Sequence, residues 1–301
     1  MRRRTPSITA PVRRWYRRNG RSLPWRGESD PYRIILSEIM LQQTQVGRVL
    51  VHYGRFLRRF PSMRSLARAS RRDVILAWSG MGYNNRAVRL HALASVLVER
   101  GMSIPASAPS LLELPGIGRY TAHAILSSVH GLPVPVVDVN IRRLLSRVFW
   151  RMRSTSDMRS DEEIWRTAER ILPRRGVYDW NQALMDIGAT ICTARRPSCP
   201  GCPLGGICAS RKTMTQAPGR SSRAEAGMHG TPNRIFRGRI VEALRRTRDG
   251  FRAEALGKQI DPEFSRHDLP WLEKLLEGLE RDGLVRVRRG RTTSGSRVAL
   301  S

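Results

Sequence analysis

LLELPGIGRYTAHAILSSV, residues 111–129, reads as the end of one apolar helix, a hairpin at Pro115-Gly116-Ile117-Gly118, and a second apolar helix. Two glycines one residue apart permit a tight turn and a close approach of backbone to a ligand. The amides that open the second helix then face outward, where they attract phosphate. An ordinary helix–helix turn uses the same G-x-G, so the glycines alone are weak evidence. Leu114-Pro115 before them and Arg119-Tyr120-Thr121-Ala122 after them make the reading specific. Such a hairpin grips a nucleic-acid backbone without reading sequence, which marks Gly116, Gly118 and Arg119 as contact residues.

Charge agrees with a polyanionic partner. The 301 residues carry 54 basic against 25 acidic side chains, a net +29, far beyond what solubility requires. A GC-rich coding sequence explains Arg in place of Lys, but not the imbalance itself. No apolar run approaches the length of a membrane span, and the basic start of the chain lacks the apolar stretch of a secretory signal. A cytosolic protein is expected, with a core large enough for one sizeable domain and a smaller one. Only Lys212, Lys258 and Lys274 are lysines, leaving 51 arginines. Arginine is not deprotonated in proteins, so no side chain before Lys212 can form a Schiff base.

Cysteine is absent until Cys192, and then four follow as C-x6-C-x2-C-x5-C: Cys192, Cys199, Cys202 and Cys208. Four thiols in one short loop of a cytosolic chain read as a metal site rather than as disulfides. Four thiolates suit zinc or a [4Fe–4S] cluster. Zinc ribbons pair two short knuckles, whereas only one C-x2-C step is present.

Two carboxylates stand out. Asp138, in VPVVDVNIRRLLSRVF (134–149), falls where a helix should begin. It reads as an N-cap, a role compatible with stabilising a sugar cation at the rim of a DNA groove. Asn140, two residues on, is placed to orient a water or the sugar. Glu38, in DPYRIILSEIMLQQTQV (30–46), has Ile34 four residues before it and Leu41 three after, on an apolar helical face. Burial there favours the protonated form a general acid needs. The competing reading is a half-exposed Glu bonded to Gln42 at i+4.

With these pieces in order, residues from about Trp15 to Cys208 resemble the MutY-type adenine DNA glycosylases of the helix–hairpin–helix superfamily. LPWR (23–26), SEIMLQQTQV (37–46), GMGY (80–83), LPGIGRYTA (114–122), VDVN (137–140), MDIGA (185–189) and the cysteine loop carry the resemblance. It implies a mainly α, two-lobed glycosylase domain over 1–212 with a [4Fe–4S] cluster on the four cysteines. It implies that Glu38 protonates a flipped adenine and that Asp138 stabilises the oxocarbenium-like sugar, the two carboxylates flanking the broken bond as in sugar hydrolysis. Tyr120 and Asn140 support the site, Gln43 and Tyr83 wedge into the base stack, and Arg26, Leu41 and Asp186 line the base pocket. Tyr120 occupies the position where lyases of the superfamily carry their lysine, so simple hydrolysis is expected.

The implied substrate is adenine opposite 8-oxoguanine or guanine in double-stranded DNA, acted on by a monomer at the nucleoid. Thymine removal from T·G mismatches and a non-catalytic DNA-structure-binding protein are the rival readings. The family often reads G-L-G-Y-Y where this chain has Tyr83-Asn84-Asn85, and no stretch is long enough for the MutT-like domain of long relatives. Residues 213–232 read as a linker. Residues 233–301 follow with three amphipathic helices and a basic hairpin (LVRVRRG, RVAL), similar to a winged-helix module whose wing carries Arg286, Arg288, Arg289 and Arg291.

Overall fold

The computed structural model describes residues 7–152, 157–213, 225–290 and 292–301. Arg291 and residues 214–224 of the expected linker lie outside the described residues. The chain is mainly helical: α1 (Thr9–Asn19), α2 (Pro31–Leu41), α3 (Val46–Arg59), α4 (Met63–Ala67), α5 (Arg71–Ala77) and α6 (Asn85–Glu99) come first. Next are α7 (Ala108–Leu112), α8 (Arg119–Ser128), α9 (Val139–Phe149), α10 (Asp161–Arg170) and α11 (Val177–Asp186), the last continued by a π-helical turn at Ile187–Ile191. β1 (Gly227–Met228), β2 (Thr231–Pro232), α12 (Asn233–Arg245), β3 (Phe251–Arg252), α13 (Ala253–Ile260), α14 (Leu269–Arg281), β4 (Val285–Arg288) and β5 (Arg297–Leu300) complete it. Among the described residues no helix is long and apolar enough to cross a membrane.

Two compact units divide the chain. One comprises Met1–Ile34, Pro105–Glu113 and Ile117–Ser221; the other Ile35–Ile104, Leu114–Gly116 and Ser222–Ser301. The first is built on α1, α9, α10 and α11, whose inward faces supply Val12, Ile141, Leu144, Trp165, Trp180 and Leu184 to one core. In α9, Ile141, Leu144, Leu145 and Val148 recur at helical spacing on the buried side. Removing a large side chain from such a core costs about 2–5 kcal/mol.

In the second unit, α3 turns Val49, Tyr53 and Phe56 inward. Phe56 meets Phe60 and Trp78 edge-on at 5.1 and 5.6 Å. The C-terminal elements of this unit form a core of Phe236, Ile240, Leu244, Leu256, Leu272 and Val298, and Ile75 of α5 belongs to it. The expected hairpin is present, with Val285 opposite Leu300 and Arg288 opposite Arg297. β3 adds a strand on the other side of β5, giving the antiparallel order β3-β5-β4. Residues 227–232, read as the end of the linker, instead form the β1–β2 ladder, turned by His229 and Gly230 at positive φ.

The glycine hairpin lies where the sequence places it. Gly116 has φ +78°, and a Cβ on it would come within 2.9 Å of the Arg89 side chain on α6. Conformation and packing both demand glycine there. Gly118, at φ −101°, is the N-cap of α8, and a Cβ there would meet nothing within 4 Å.

Candidate active site

Asp138 is the N-cap of α9: its Oδ1 accepts from the Ile141 amide at 2.7 Å. Oδ2 accepts from Asn140 Nδ2 at 2.8 Å. Capping and positioning are thus done by one carboxylate, with an oxygen for each. Surrounding protein strips it of water and pushes its pKa up, while the Ile141 and Asn140 hydrogen bonds and the Arg143 charge pull the other way without cancelling the burial.

Asn140 is itself held. Its Oδ1 accepts from Arg143 at 2.9 Å, and Arg143 also donates to the carbonyls of Gly188 (2.6 Å) and Cys192 (2.8 Å). One arginine therefore spans from the Asp138 partner to the first cysteine of the loop. The approach is close because residue 188 is glycine: a Cβ there would lie 2.9 Å from that of Asn140. The π-helical turn that brings Gly188 in is closed by Thr190 Oγ1 donating to the Asp186 carbonyl and by the Cys192 amide donating to that of Ile187. Such turns recur at functional sites.

Just before this turn sits Asp186, fully buried, its oxygens taken by Arg21 and Arg26. Arg26 is bidentate, at 2.6 and 2.8 Å, and donates also to Gln182 Oε1 at 2.9 Å. Burial works to raise the Asp186 pKa, but the arginine hydrogen bonds outweigh it and hold the carboxyl below the usual carboxylate range. Asp186 thus stands behind Arg26 and orients it. Gln182, one helical turn earlier on α11, was not singled out from the sequence, although its i, i+4 relation to Asp186 places it on the same face.

In the second unit, Glu38 is 7% exposed and α2 is buried almost all round from Ile34 to Met40. The half-exposed reading of Glu38 is therefore overturned: apolar neighbours on both sides of the helix leave no face of this stretch to water. Leu41 ends α2 half-buried. Gln43 and Tyr83 are exposed, and both are held at positive φ, +54° and +44°, a strained region for residues with a side chain.

What holds both is Arg86. This buried side chain donates to the carbonyls of Ile39, Met40 and Gln42 on one side, and to Met81 and Gly82 on the other. It also reaches Thr44 Oγ1 at 2.9 Å, and it lies against the rings of Trp78 and Tyr83. Burial pushes its pKa down to about 10, so it stays charged at neutral pH. Nothing in the sequence separates Arg86 from the other arginines.

Tyr120 is the second residue of α8 and half-buried. Arg119, beside it, stacks on the Trp165 ring at 4.1 Å and pairs with Glu162 at 3.5 Å. The four cysteines are free and line one hollow with Leu144, Val148 and Arg147. Burial raises the thiols of Cys202 and Cys208, and the neighbouring sulfurs add to it. Arg147, buried, donates to the carbonyls of Thr193 (2.7 Å) and Ala194 (3.0 Å) and lies 3.4 Å from Cys192 Sγ. Among the described residues no group of three or more His, Cys, Asp or Glu converges as a single metal ion would need. Four sulfurs around a shared, largely apolar hollow with a guanidinium at its edge fit a larger anionic group.

The model of the HhH-GPD superfamily of base excision DNA repair proteins matches residues 36–170. The adenine DNA glycosylase of Mycobacterium tuberculosis is 35% identical over 299 residues, with 93% of each chain covered. That of Homo sapiens is 36% identical over 229 residues, 73% of this chain and 41% of the human one. Among solved structures, a thermostable thymine-DNA glycosylase superposes with TM-score 0.62 at 28% identity, over 67% of this chain and 94% of that one. Endonuclease III in a trapped DNA complex superposes with TM-score 0.59 at 21% identity, over 68% and 93%, which speaks to the fold alone.

Proposed function

The chain belongs to the adenine DNA glycosylase family within the HhH-GPD superfamily of base excision DNA repair proteins, and we propose that it hydrolyses the N-glycosidic bond of adenine mispaired with 8-oxoguanine or guanine. The observation that carries this reading is Asp138. It is a carboxylate fixed at a helix N-terminus, largely enclosed by protein, with one oxygen spent on the helix and the other steered by Asn140. A group so held stabilises positive charge developing on the sugar without first having to reorganise. Glu38, enclosed in the apolar α2, supplies the proton that makes adenine a leaving group. Tyr120 and Asn140 maintain the geometry; Arg26, oriented by Asp186 and bonded to Gln182, contacts the base, and Leu41 is a further base-contacting residue.

DNA is held by the phosphate-facing amides after Gly116 and Gly118 and by Arg119, while Gln43 and Tyr83 replace the flipped base in the stack. The cysteines Cys192, Cys199, Cys202 and Cys208 hold a [4Fe–4S] cluster, which when bound shapes a basic loop against phosphates. The glycosylase domain spans 1–212, and a linker from residue 213 leads into the β1–β2 ladder and the winged-helix-like module over 233–301. The module's exposed Arg286, Arg288 and Arg289 add phosphate contacts. The enzyme acts as a monomer at the nucleoid. With no lysine before Lys212, it leaves an intact abasic strand.

The test is a single-turnover assay on duplexes placing A or T opposite 8-oxoguanine, G and C, developed with and without alkali. Alkali-dependent cleavage at A opposite 8-oxoguanine and G is expected. Strand scission without alkali, or a borohydride-trapped adduct, would refute the hydrolytic reading, and preference for T·G would move the chain to the thymine enzymes.

A further inference from the structure

The C-terminal elements reach past their own core to the loop that carries Tyr83. Ile75, at the end of α5, is fully buried among Phe236, Ile240, Leu244 and Leu256. Polar contacts follow the apolar one. Arg72 donates to the Thr247 carbonyl at 2.7 Å. Arg245, near the end of α12 and with its side chain only 8% exposed, donates to the Ile75 carbonyl at 3.1 Å and to Asn84 Oδ1 at 2.9 Å.

Asn84 immediately follows Tyr83 and stands at the N-cap of α6, yet its side chain makes no capping hydrogen bond. Its amide oxygen is used by Arg245 instead. This is the asparagine at which the chain departs from the G-L-G-Y-Y pattern, so the departure and the contact from α12 coincide. Tyr83 is 52% exposed at φ +44°, and Arg86 braces its turn from inside, through the Met81 and Gly82 carbonyls.

We propose that α12 is part of the strand-wedging apparatus: the Arg245–Asn84 contact sets the exit of the Tyr83 turn and so determines how firmly Tyr83 enters the base stack. Arg86 holds the turn from the interior and Arg245 from the opposite end, and a strained turn persists only when its surroundings over-determine it. Arg245 and Asn84 are positioning residues, and the C-terminal module acts on the opened duplex through this loop as well as through phosphates. This proposal rests on the reading of Tyr83 as the wedge.

The test uses the full-length protein and a duplex carrying 2-aminopurine next to an A·8-oxoguanine pair, whose fluorescence rises when the stack opens. Asn84→Ala, Arg245→Ala and the double variant are compared with Tyr83→Ala by fluorescence amplitude, single-turnover rate, matched-duplex Kd and melting temperature. Loss of one charge-assisted hydrogen bond corresponds to roughly a tenfold fall in rate. Asn84→Ala and Arg245→Ala should each lower amplitude and rate by such a factor. The double variant should lose no more than either single one, Asn84→Asp should retain both signals, and matched-duplex Kd should not move. If Arg245→Ala does not fold, Asn84→Ala decides. Unchanged amplitude and rate in Asn84→Ala, with amplitude abolished by Tyr83→Ala, would overturn the proposal and leave the wedge standing. Full amplitude in Tyr83→Ala would remove the wedge itself, and the proposal with it.

Discussion

The Nδ2 of Asn140 donates to Oδ2 of Asp138 across 2.8 Å, and that hydrogen bond favours the charged carboxylate against the burial that disfavours it. Asp138 acts as an anion, and its pKa lies above the ordinary aspartate range, so the acid limb of the single-turnover rate should fall at a higher pH than a free aspartate would give. Asn140→Leu removes a contribution that lowers the pKa, so it should move the limb further up. A limb that moves down, or stays still, would separate Asn140 from the ionisation of Asp138.

The capping role of Asp138 is separable from its chemistry, because asparagine caps helices about as well as aspartate. Asp138→Asn should keep its hydrogen bond to the Ile141 amide and fold normally, yet lose several orders of magnitude in rate. The sign of the stability effect is also set. A folded pKa raised above the unfolded one gives stability that is full at low pH and lost as pH rises through the folded value. Asp138→Asn is free of that loss and should melt at or above the wild-type temperature at pH 7, with the gap closing below about pH 4. A lower melting temperature at pH 7 would mean that the charge itself is structurally required.

Arg86→Met should be the most destabilising of the single substitutions near the strained turns. It takes the guanidinium donor from the carbonyls of Ile39 and Met40 in α2 and of Met81, while Gln42 and Gly82 keep Thr44 Oγ1 and Trp78 Nε1, at a cost of about 3–5 kcal/mol, or roughly a 10 °C fall in Tm. Calorimetry checks this. A variant melting within two or three degrees of wild type would show that water replaces the guanidinium without loss.

Much of the fold was legible because it rests on residues whose chemistry leaves few options. Gly116 must be glycine at φ +78° beside Arg89, Asp138 caps the helix it precedes, and the period-2 runs at 284–290 and 297–300 pair as strands. For Glu38 the helical spacing left burial and half-exposure both open, and only the packing of α2 decides for burial. Less legible were elements too short to carry a period, such as β3 and the β1–β2 ladder, and the π-helical turn after Asp186. The arginines that organise the site were not legible at all. Arg86 and Arg147 are buried and Arg143 and Arg245 partly so, and enclosing a long cationic side chain depends on carbonyls assembled from distant segments.

Purified anaerobically, the protein should be brown, with broad absorbance in the visible blue and about four irons per chain. Zinc alone would refute the cluster. Arg147 ties the carbonyls of Thr193 and Ala194 to α9 and lies against Cys192 Sγ. Arg147→Leu should therefore lose iron to a chelator faster than wild type, measured by the decay of that absorbance. Cys199→Ser should weaken duplex binding more than it slows base removal from bound DNA.

The Asp186 carboxyl is fully buried and held below the usual carboxylate range by two arginines, so its contribution to stability is present above the unfolded pKa of about 3.9 and lost as pH falls through the lower folded value. Asp186→Asn keeps the shape but leaves the Arg21 and Arg26 charges without a counter-ion in a largely enclosed place. Breaking such a pair from one side costs about 3–5 kcal/mol. The deficit of the variant should be full at pH 7, persist to about pH 4, and shrink below that as the wild-type carboxyl takes up its proton. Urea midpoints for both proteins at pH 7, 5 and 3.5 measure it. Arg26→Lys tests the orienting role separately, because a lysine cannot bind the carboxylate bidentately or reach Gln182 at the same time. That variant should hold most of its stability while its single-turnover rate on A·8-oxoguanine duplexes falls at least tenfold. A deficit independent of pH in Asp186→Asn, together with normal turnover in Arg26→Lys, would reduce the pair to a scaffold with no bearing on the base.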